Sequence, residues 1–418
     1  MTNHLLPRSP LPPPLCGADK GTFAEHTISE RLPGIARRTA QETALPKEIQ
    51  QSLHALADEM PYGKLRSIKD PGLDVPAWDR YLAPYQGQDW LTPPWFFVET
   101  YFFRRILEAS GYFQPGPGGG IDPYSTQKER GLRSVAPLMA PVSALVDALL
   151  CAPSIRHVDY QLELTELLRT LIWGNQADLS IWPVGEQDAP QALIGQNQDA
   201  DDLNPLLCDH ASQAADHLLH SSTKSGRIDL ILDNSGVELA FDLALADFLL
   251  SASLVDKVFL HVKPYPTYVS DATEKDVLNT IDHLAGTDDP ATGRLATRLQ
   301  EHLAQNALCT KPHQFWVSPL SGWQMPTDLR TELANSDLLF SKGDANYRRW
   351  FGDRHWSFTI PLNEILNYLP APWLALRILK SNMAAGMPPG KPEAAAGKDP
   401  HWLYNGQWGV IQFVNPHA

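Results

Sequence analysis

Apolar positions divide the chain into two textures. From residue 22 to about 173 they recur at three- and four-residue intervals, as in ISERLPGIARRTAQETA, PPWFFVETYFFRRILEASGYF, APLMAPVSALVDALLCA and VDYQLELTELLRTLIWGN. That spacing turns one face of a helix toward a core. After residue 226 short runs rich in β-branched and aromatic residues take over: IDLILD, KVFLHVKP, HQFWVSP, DLLFSKGD, LALRILK and GVIQFV, with helical stretches between them. Alternating strands and helices predict an α/β fold, a three-layer α/β/α, Rossmann-like arrangement with a mostly parallel sheet and a helix-rich N-terminal domain. The expected division is a loose proline-rich tail over residues 1–20, a helical domain over 21–180 and an α/β catalytic domain over 181–418. The glycines of QPGPGGGIDPY have no Gly-Lys-Ser/Thr after them and read as a linker. Residues 384–399, rich in Ala, Gly and Pro, read as a mobile loop between the last two strands.

One polar break stands out. In GRIDLILDNSGVELAFDLALADFLL a buried strand over residues 228–232 gives way to helical spacing from Glu238 onward. Asp233-Asn234-Ser235-Gly236 is therefore a strand-to-helix turn at the carboxyl edge of a parallel sheet, where open α/β sheets bind ligands. Ser235 with Glu238 three residues on fits a helix capping box. That leaves Asp233 and Asn234, a carboxylate and an amide oxygen of the hard kind that Mg²⁺ or Mn²⁺ accepts. The next strand runs on to Lys263 and then Asp271, and FSKGDANYRRW gathers Lys342, Asp344, Asn346, Arg348 and Arg349 after a third strand. LALRILKS ends a fourth strand on Lys380. Acids and cations delivered to one sheet edge suit a divalent metal and a phosphate held together.

Composition narrows the partners. The 418 residues carry a formal charge of −14, with 43% hydrophobic and 20% charged residues. Such a chain builds a globular core and argues against nucleic acid or an anionic membrane as partner. An anionic substrate needs local cations or a metal against that background. Cys16, Cys151, Cys208 and Cys309 are scattered without CxxC pairing, the N-terminal segment has no signal-peptide core and no stretch is long enough to span a membrane, so a cytoplasmic location is expected. Cys208, His210, His217 and His220 do not show the paired spacing of structural zinc sites. Trp95, Trp173, Trp316, Trp350 and Trp356 read as core, with Trp173 and Asn175 of the WGN motif able to line a cleft.

LDNSGVELAFDLALADFLL, VSDAT, KGDANYR and RILK resemble the signatures of the metal-dependent damage-control phosphatases, formerly domain-of-unknown-function family 89. FAEHTISERLPGIARR, ETYFFRRILEA, DPYSTQK and LIWGNQADLS extend the resemblance over nearly the whole chain, and it is to the third subfamily, sugar-phosphate phosphatases that include a protein also described as an acidic residue methyltransferase. The resemblance implies that Asp233, Asn234 and Asp271 ligate a divalent metal (Mn²⁺, Mg²⁺, Co²⁺ or Ni²⁺), and that Asp344, Asn346, Tyr347, Arg348 and Lys380 bind the substrate phosphate. It places Glu238 and Asp271 at positions assigned to S-adenosylmethionine, and Asn175 beside the substrate. The subfamily's Arg-Thr-x-Lys motif is Arg377-Ile378-Leu379-Lys380 here, without the threonine, which bears on substrate preference.

The implied activity is hydrolysis of small sugar phosphates such as fructose 1-phosphate or fructose 6-phosphate. Catalysis would involve Asp233, Asn234, Asp271 and Lys380, with either a metal-activated water or a carboxylate such as Asp233 as nucleophile. Ser235 stands where a haloacid-dehalogenase-type DxD motif needs its second acid, so that family is set aside. Two rival readings are an S-adenosylmethionine-dependent carboxyl methyltransferase, although no glycine-rich loop follows an early strand, and a non-catalytic protein that senses a sugar phosphate.

Overall fold

A computed structural model describes residues 6–42, 45–151, 157–174, 205–220 and 226–417. Its seven strands are β1 (Leu206–Asp209), β2 (Arg227–Ile231), β3 (Lys257–Val262), β4 (Leu308–Pro312), β5 (Leu338–Lys342), β6 (Trp373–Ile378) and β7 (Gly409–Val414). They form one sheet in the order β1-β7-β6-β5-β2-β3-β4. From β6 to β4 all pairings are parallel, whereas β7 runs antiparallel to β6 and parallel to β1. The expected mostly parallel α/β sheet is present. From β2 the chain proceeds to β3 and β4 on one side, while β5 and β6 lie on the other, which makes the β2/β5 boundary the topological switch point where such sheets bind ligands.

Successive strand residues feed two different cores, as a period of two requires. Leu338, Phe340, Leu374, Leu376 and Ile378 pack on one face with helices Val135–Cys151, His157–Trp173, Ala211–His220, Val237–Ser251, Glu274–Ala285 and Pro290–Ala304. Leu339, Trp373, Ala375 and Leu379 pack on the other with helices Leu32–Glu42, Lys47–Glu59, Trp95–Ser110 and Asp344–Phe351. The result is three layers. Core packing also cuts across the boundary expected near residue 180, because two helices of the N-terminal half lie in the layer on the first face.

Four local expectations are corrected. HQFWVSP is not a strand: Gln314–Val317 forms a short 3₁₀ turn, the His313 ring accepting from the Phe315 N–H, and the strand is the preceding Leu308–Pro312. The proline-rich N-terminal segment is not loose where it is described, since Leu15 is buried, its N–H donates to Asp353 O and its C=O accepts from Trp95 N. Residues 384–399 include a helix, Lys391–Lys398, and Ala384, Ala385 and Met387 are buried. Ser235 does not cap the helix it precedes, because Gly236 at φ 80° is the N-cap and no side chain caps it.

Candidate active site

The turn after β2 and the segment after β3 are joined by their backbones. Asn234 and Asp271 form an antiparallel bridge, Ala272 N–H donates to Asp233 O at 2.8 Å and Ser235 N–H donates to Ser270 O at 2.6 Å. The segment reaches this position through two non-glycine residues in left-handed conformation, Tyr268 (φ 48°) and Val269 (φ 68°). Strain of this kind persists where surrounding contacts over-determine it, commonly at functional sites. Asp233, Asn234 and Asp271, each at most 5% exposed, are thereby fixed side by side.

A small cavity of about 50 Å³ opens against them, lined also by Arg31, Trp95, Glu99, Tyr268, Asp344, Ala345, Arg348 and Lys380. The carboxyl edge of the sheet forms its floor, and the helix Trp95–Ser110 supplies the facing wall. Asp344 and Ala345 open the helix Asp344–Phe351, whose N-terminal end favours an anion. Gly343 takes φ 78° and ψ 173° at this turn, and a Cβ there would meet Asp233 Oδ2 at 1.8 Å. Only glycine lets the β5 turn lie against the β2 turn.

Each functional side chain is held from behind. Asn234 Nδ2 donates to Asp233 Oδ2 and Glu238 Oε2, both at 2.9 Å, and Asn234 Oδ1 accepts from Ser270 Oγ at 2.6 Å. Lys342, fully buried, donates to Asp242 Oδ1 at 2.7 Å and lies 3.5 Å from Glu238 Oε1. Burial pulls the Lys342 ammonium down, but Asp242 and Glu238 outweigh that and hold it above its ordinary value. Lys263 pairs with Asp271 at 3.1 Å and donates to Leu232 O. Asp344 Oδ1 accepts from Arg377, from Ser381 Oγ and from the Lys380 N–H. Arg348 is gripped by both Asp353 oxygens and by Glu99, and lies 3.7 Å above the Trp95 ring. Burial works against the Arg348 charge, yet Asp353 and Glu99 raise it well above its usual range.

A family model, the damage-control phosphatase ARMT1-like domain, matches residues 27–395. The chain belongs to that family. It is 32% identical to damage-control phosphatase ARMT1 of Mus musculus, over 96% of this chain and 98% of the mouse protein, and 30% identical to that of Danio rerio, over 97% and 98%. Among solved structures it is similar to a DUF89 family protein from Pyrococcus horikoshii, with 13% identity, 91% of this chain and 95% of that chain covered and a TM-score of 0.46. The phosphatase class is that of its full-length relatives.

For this family member the donor chemistry can be tested for a divalent metal. Among the described residues no three His, Cys, Asp or Glu side chains converge as ligands. The available set is two carboxylates, Asp233 and Asp271, with the Asn234 amide oxygen. That set fits Mg²⁺ or Mn²⁺, hard cations bound through one or two carboxylates with water and substrate phosphate completing the shell. Charge agrees. The cavity carries four carboxylates (Glu99, Asp233, Asp271, Asp344) against three cations (Arg31, Arg348, Lys380), so a divalent cation turns a formally negative pocket into one that attracts phosphate.

The expected site residues divide into two groups. Asp233, Asn234, Asp271, Asp344, Arg348 and Lys380 line one cavity. Glu238, Asn346 and Tyr347 do not. Glu238 orients Asn234, Asn346 Nδ2 donates to Leu232 O and Lys342 O, and Tyr347 Oη donates to Gln412 Oε1 at 2.7 Å. Arg349 also turns away, donating to the carbonyls of Trp316, Ser318 and Leu320, and burial brings it down to about 10. Asn175 lies outside the described residues, although Gly174 before it packs against Glu238 and Phe241.

Ile378 packs in the helical core on the opposite face from Leu379. The missing threonine therefore removes no hydroxyl from the cavity. The Cys208–His220 cluster disperses: Cys208 contacts His210, while the His217 ring meets Asp337 O and the His220 ring meets Asp216 O. Arg31, Glu99 and Tyr268 were not singled out by sequence reasoning, and Trp95, read as core, forms part of the wall. Glu99 left a trace in the sequence, an acid inside the apolar run WFFVETYFF.

Proposed function

We propose that this chain is a metal-dependent phosphomonoester hydrolase of the third subfamily, acting on small sugar phosphates such as fructose 1-phosphate and fructose 6-phosphate in metabolite damage control. The observation that carries the reading is the single cavity in which Asp233, Asn234 and Asp271 meet Lys380, Arg348 and the first residues of a helix. The first three would hold the divalent cation, which supplies charge neutralisation at the phosphoryl oxygens and activation of the nucleophile when bound.

The chain's own groups do the rest. Lys380 and Arg348, both buried side chains on the cavity wall, offset charge on the phosphoryl oxygens. Lys263 orients the Asp271 carboxylate, and Glu238, backed by Lys342 and Asp242, sets the Asn234 amide so that its oxygen faces Ser270 rather than the helix. Asp344, with Oδ1 bound by Arg377 and Ser381, anchors the turn that carries Lys380.

The test is phosphate release from a panel of hexose and pentose phosphates, with Mn²⁺, Mg²⁺, Co²⁺ and Ni²⁺ each supplied separately. The reading predicts metal-dependent turnover with ketose phosphates among the better substrates. Calorimetric binding of S-adenosylmethionine with no phosphate release from any ester would instead support methyl transfer.

A further inference from the structure

We propose that Glu99 is a specificity-determining residue whose carboxylate accepts hydrogen bonds from the hydroxyls of the substrate's polyol portion, a role that rests on the sugar-phosphate reading above. Glu99 lines the cavity from the helix Trp95–Ser110, across from the strand ends that bear Asp233, Asp271 and Lys380. A phosphoryl group drawn to the strand ends leaves the ester's organic part against this helix.

Arg348 does not account for the acid by itself. Asp353 already takes Arg348 Nε and Nη2 with both of its oxygens, at 2.9 Å each, and the Trp95 ring stacks on the guanidinium. Glu99 adds one further bond, Nη1 to Oε2 at 2.6 Å. That bond engages Oε2 alone, and Arg31, on the same cavity, also acts on the carboxylate's charge. Burial pushes its carboxyl above the usual range, with Arg348 pulling the other way.

Glu99 shares Arg348 with the phosphoryl position, so its repulsion of the dianion is offset by that pairing, and its carboxylate meets the neutral polyol portion next to the phosphate. Sugar hydroxyls are donors that such a buried acceptor rewards, and an analogue lacking them leaves it unpaired. Phe96, Phe97 and Val98 beside it offer no hydrogen bond to a sugar, while the buried Trp95 Nε1, on the same cavity wall and without a hydrogen-bond partner among the described residues, adds a donor to the Glu99 acceptor.

The experiment compares kcat/KM for fructose 1-phosphate and for p-nitrophenyl phosphate, which carries no hydroxyls, in wild type, Glu99→Gln and Glu99→Ala under one Mn²⁺ concentration. Thermal melting of each variant checks that it folds. Expected is a loss of roughly ten- to hundredfold on the sugar phosphate, with p-nitrophenyl phosphate hydrolysis unchanged or raised because a negative charge has left the pocket. Parallel losses on both esters, the pattern of a residue that merely positions Arg348, overturn the proposal, as do unchanged rates on both. A wild type that hydrolyses p-nitrophenyl phosphate but no sugar phosphate overturns the substrate reading itself, an outcome visible before any variant is compared.

Discussion

Replacing Gly343 with alanine tests how tightly the floor of the site is built. Its backbone, at φ 78° and ψ 173°, occupies a region that is essentially glycine-only, where a side chain costs on the order of 1–3 kcal/mol. The added Cβ would meet Asp233 Oδ2 at 1.8 Å, whereas real Cβ contacts essentially never fall below 3.0 Å, so Asp233 or the β5 turn must retreat by about 1.2 Å. Asp233 cannot yield freely, because its C=O accepts from Ala272 N–H and its carboxylate accepts from Asn234. A misplacement of about 1 Å in a catalytic constellation costs roughly a hundredfold in rate. Glycine-to-alanine at 343 is therefore expected to lower kcat/KM by about that factor, with a loss of about 1–3 kcal/mol in denaturant stability. Wild-type kcat/KM in a folded Gly343→Ala protein would refute the argument that this turn sets the position of Asp233.

Other substitutions separate site from scaffold. Arg348→Met leaves Glu99 and Asp353 as buried carboxylates without their cation, and a loss of about 3–5 kcal/mol is expected in denaturant unfolding; stability within 1 kcal/mol or so of wild type would contradict the pairing. Ile378→Thr installs the threonine of the Arg-Thr-x-Lys motif that this chain resembles, at a buried position facing away from the cavity. It should cost about 1–3 kcal/mol of stability with sugar-phosphate kcat/KM within about twofold of wild type, and a shifted substrate preference would contradict the placement. Burial pushes the Asp242 carboxyl up to about 7, with Lys342 opposing and Glu238 adding to the rise. Its folded pKa thus exceeds the unfolded value near 4, the folded state holds the extra proton between those values, and its share of stability falls as pH rises from about 4 to 7. Asp242→Asn should make the stability-versus-pH slope in that window less negative; an unchanged slope sinks the assignment.

The parallel strands were legible because strands covered on both faces become near-continuous apolar runs, as β2, β3, β5 and β6 do. The edge strands were not. β4 reads LCTKP and is mostly half-exposed, and β1 has four residues, so neither carries a strong pattern. Ser235 and Glu238 fit a capping box in spacing, yet Glu238 is claimed by Asn234 and Lys342, and a spacing rule does not see that competition. Asp233, Asp271, Asp344 and Lys380 could be grouped from sequence because parallel strands end at one edge. Asp344 through Arg348 could not be resolved one by one. Successive helical residues point about 100° apart, so Asp344, Ala345 and Arg348 face the cavity while Asn346 and Tyr347 face the sheet's interior. Arg31 and Glu99 arrive from helices far away in the chain, a juxtaposition made by tertiary packing alone.

The central claim is that Asp233, Asn234 and Asp271 make this cavity a metal-dependent phosphatase site. Its most direct test is phosphate release from fructose 1-phosphate by EDTA-treated protein during titration with Mn²⁺, for wild type and for Asp233→Asn. The account predicts no release without metal, saturable recovery in the wild type, and little or no recovery in the variant across the same range. Turnover that persists in EDTA, or a variant that recovers as the wild type does, would contradict it.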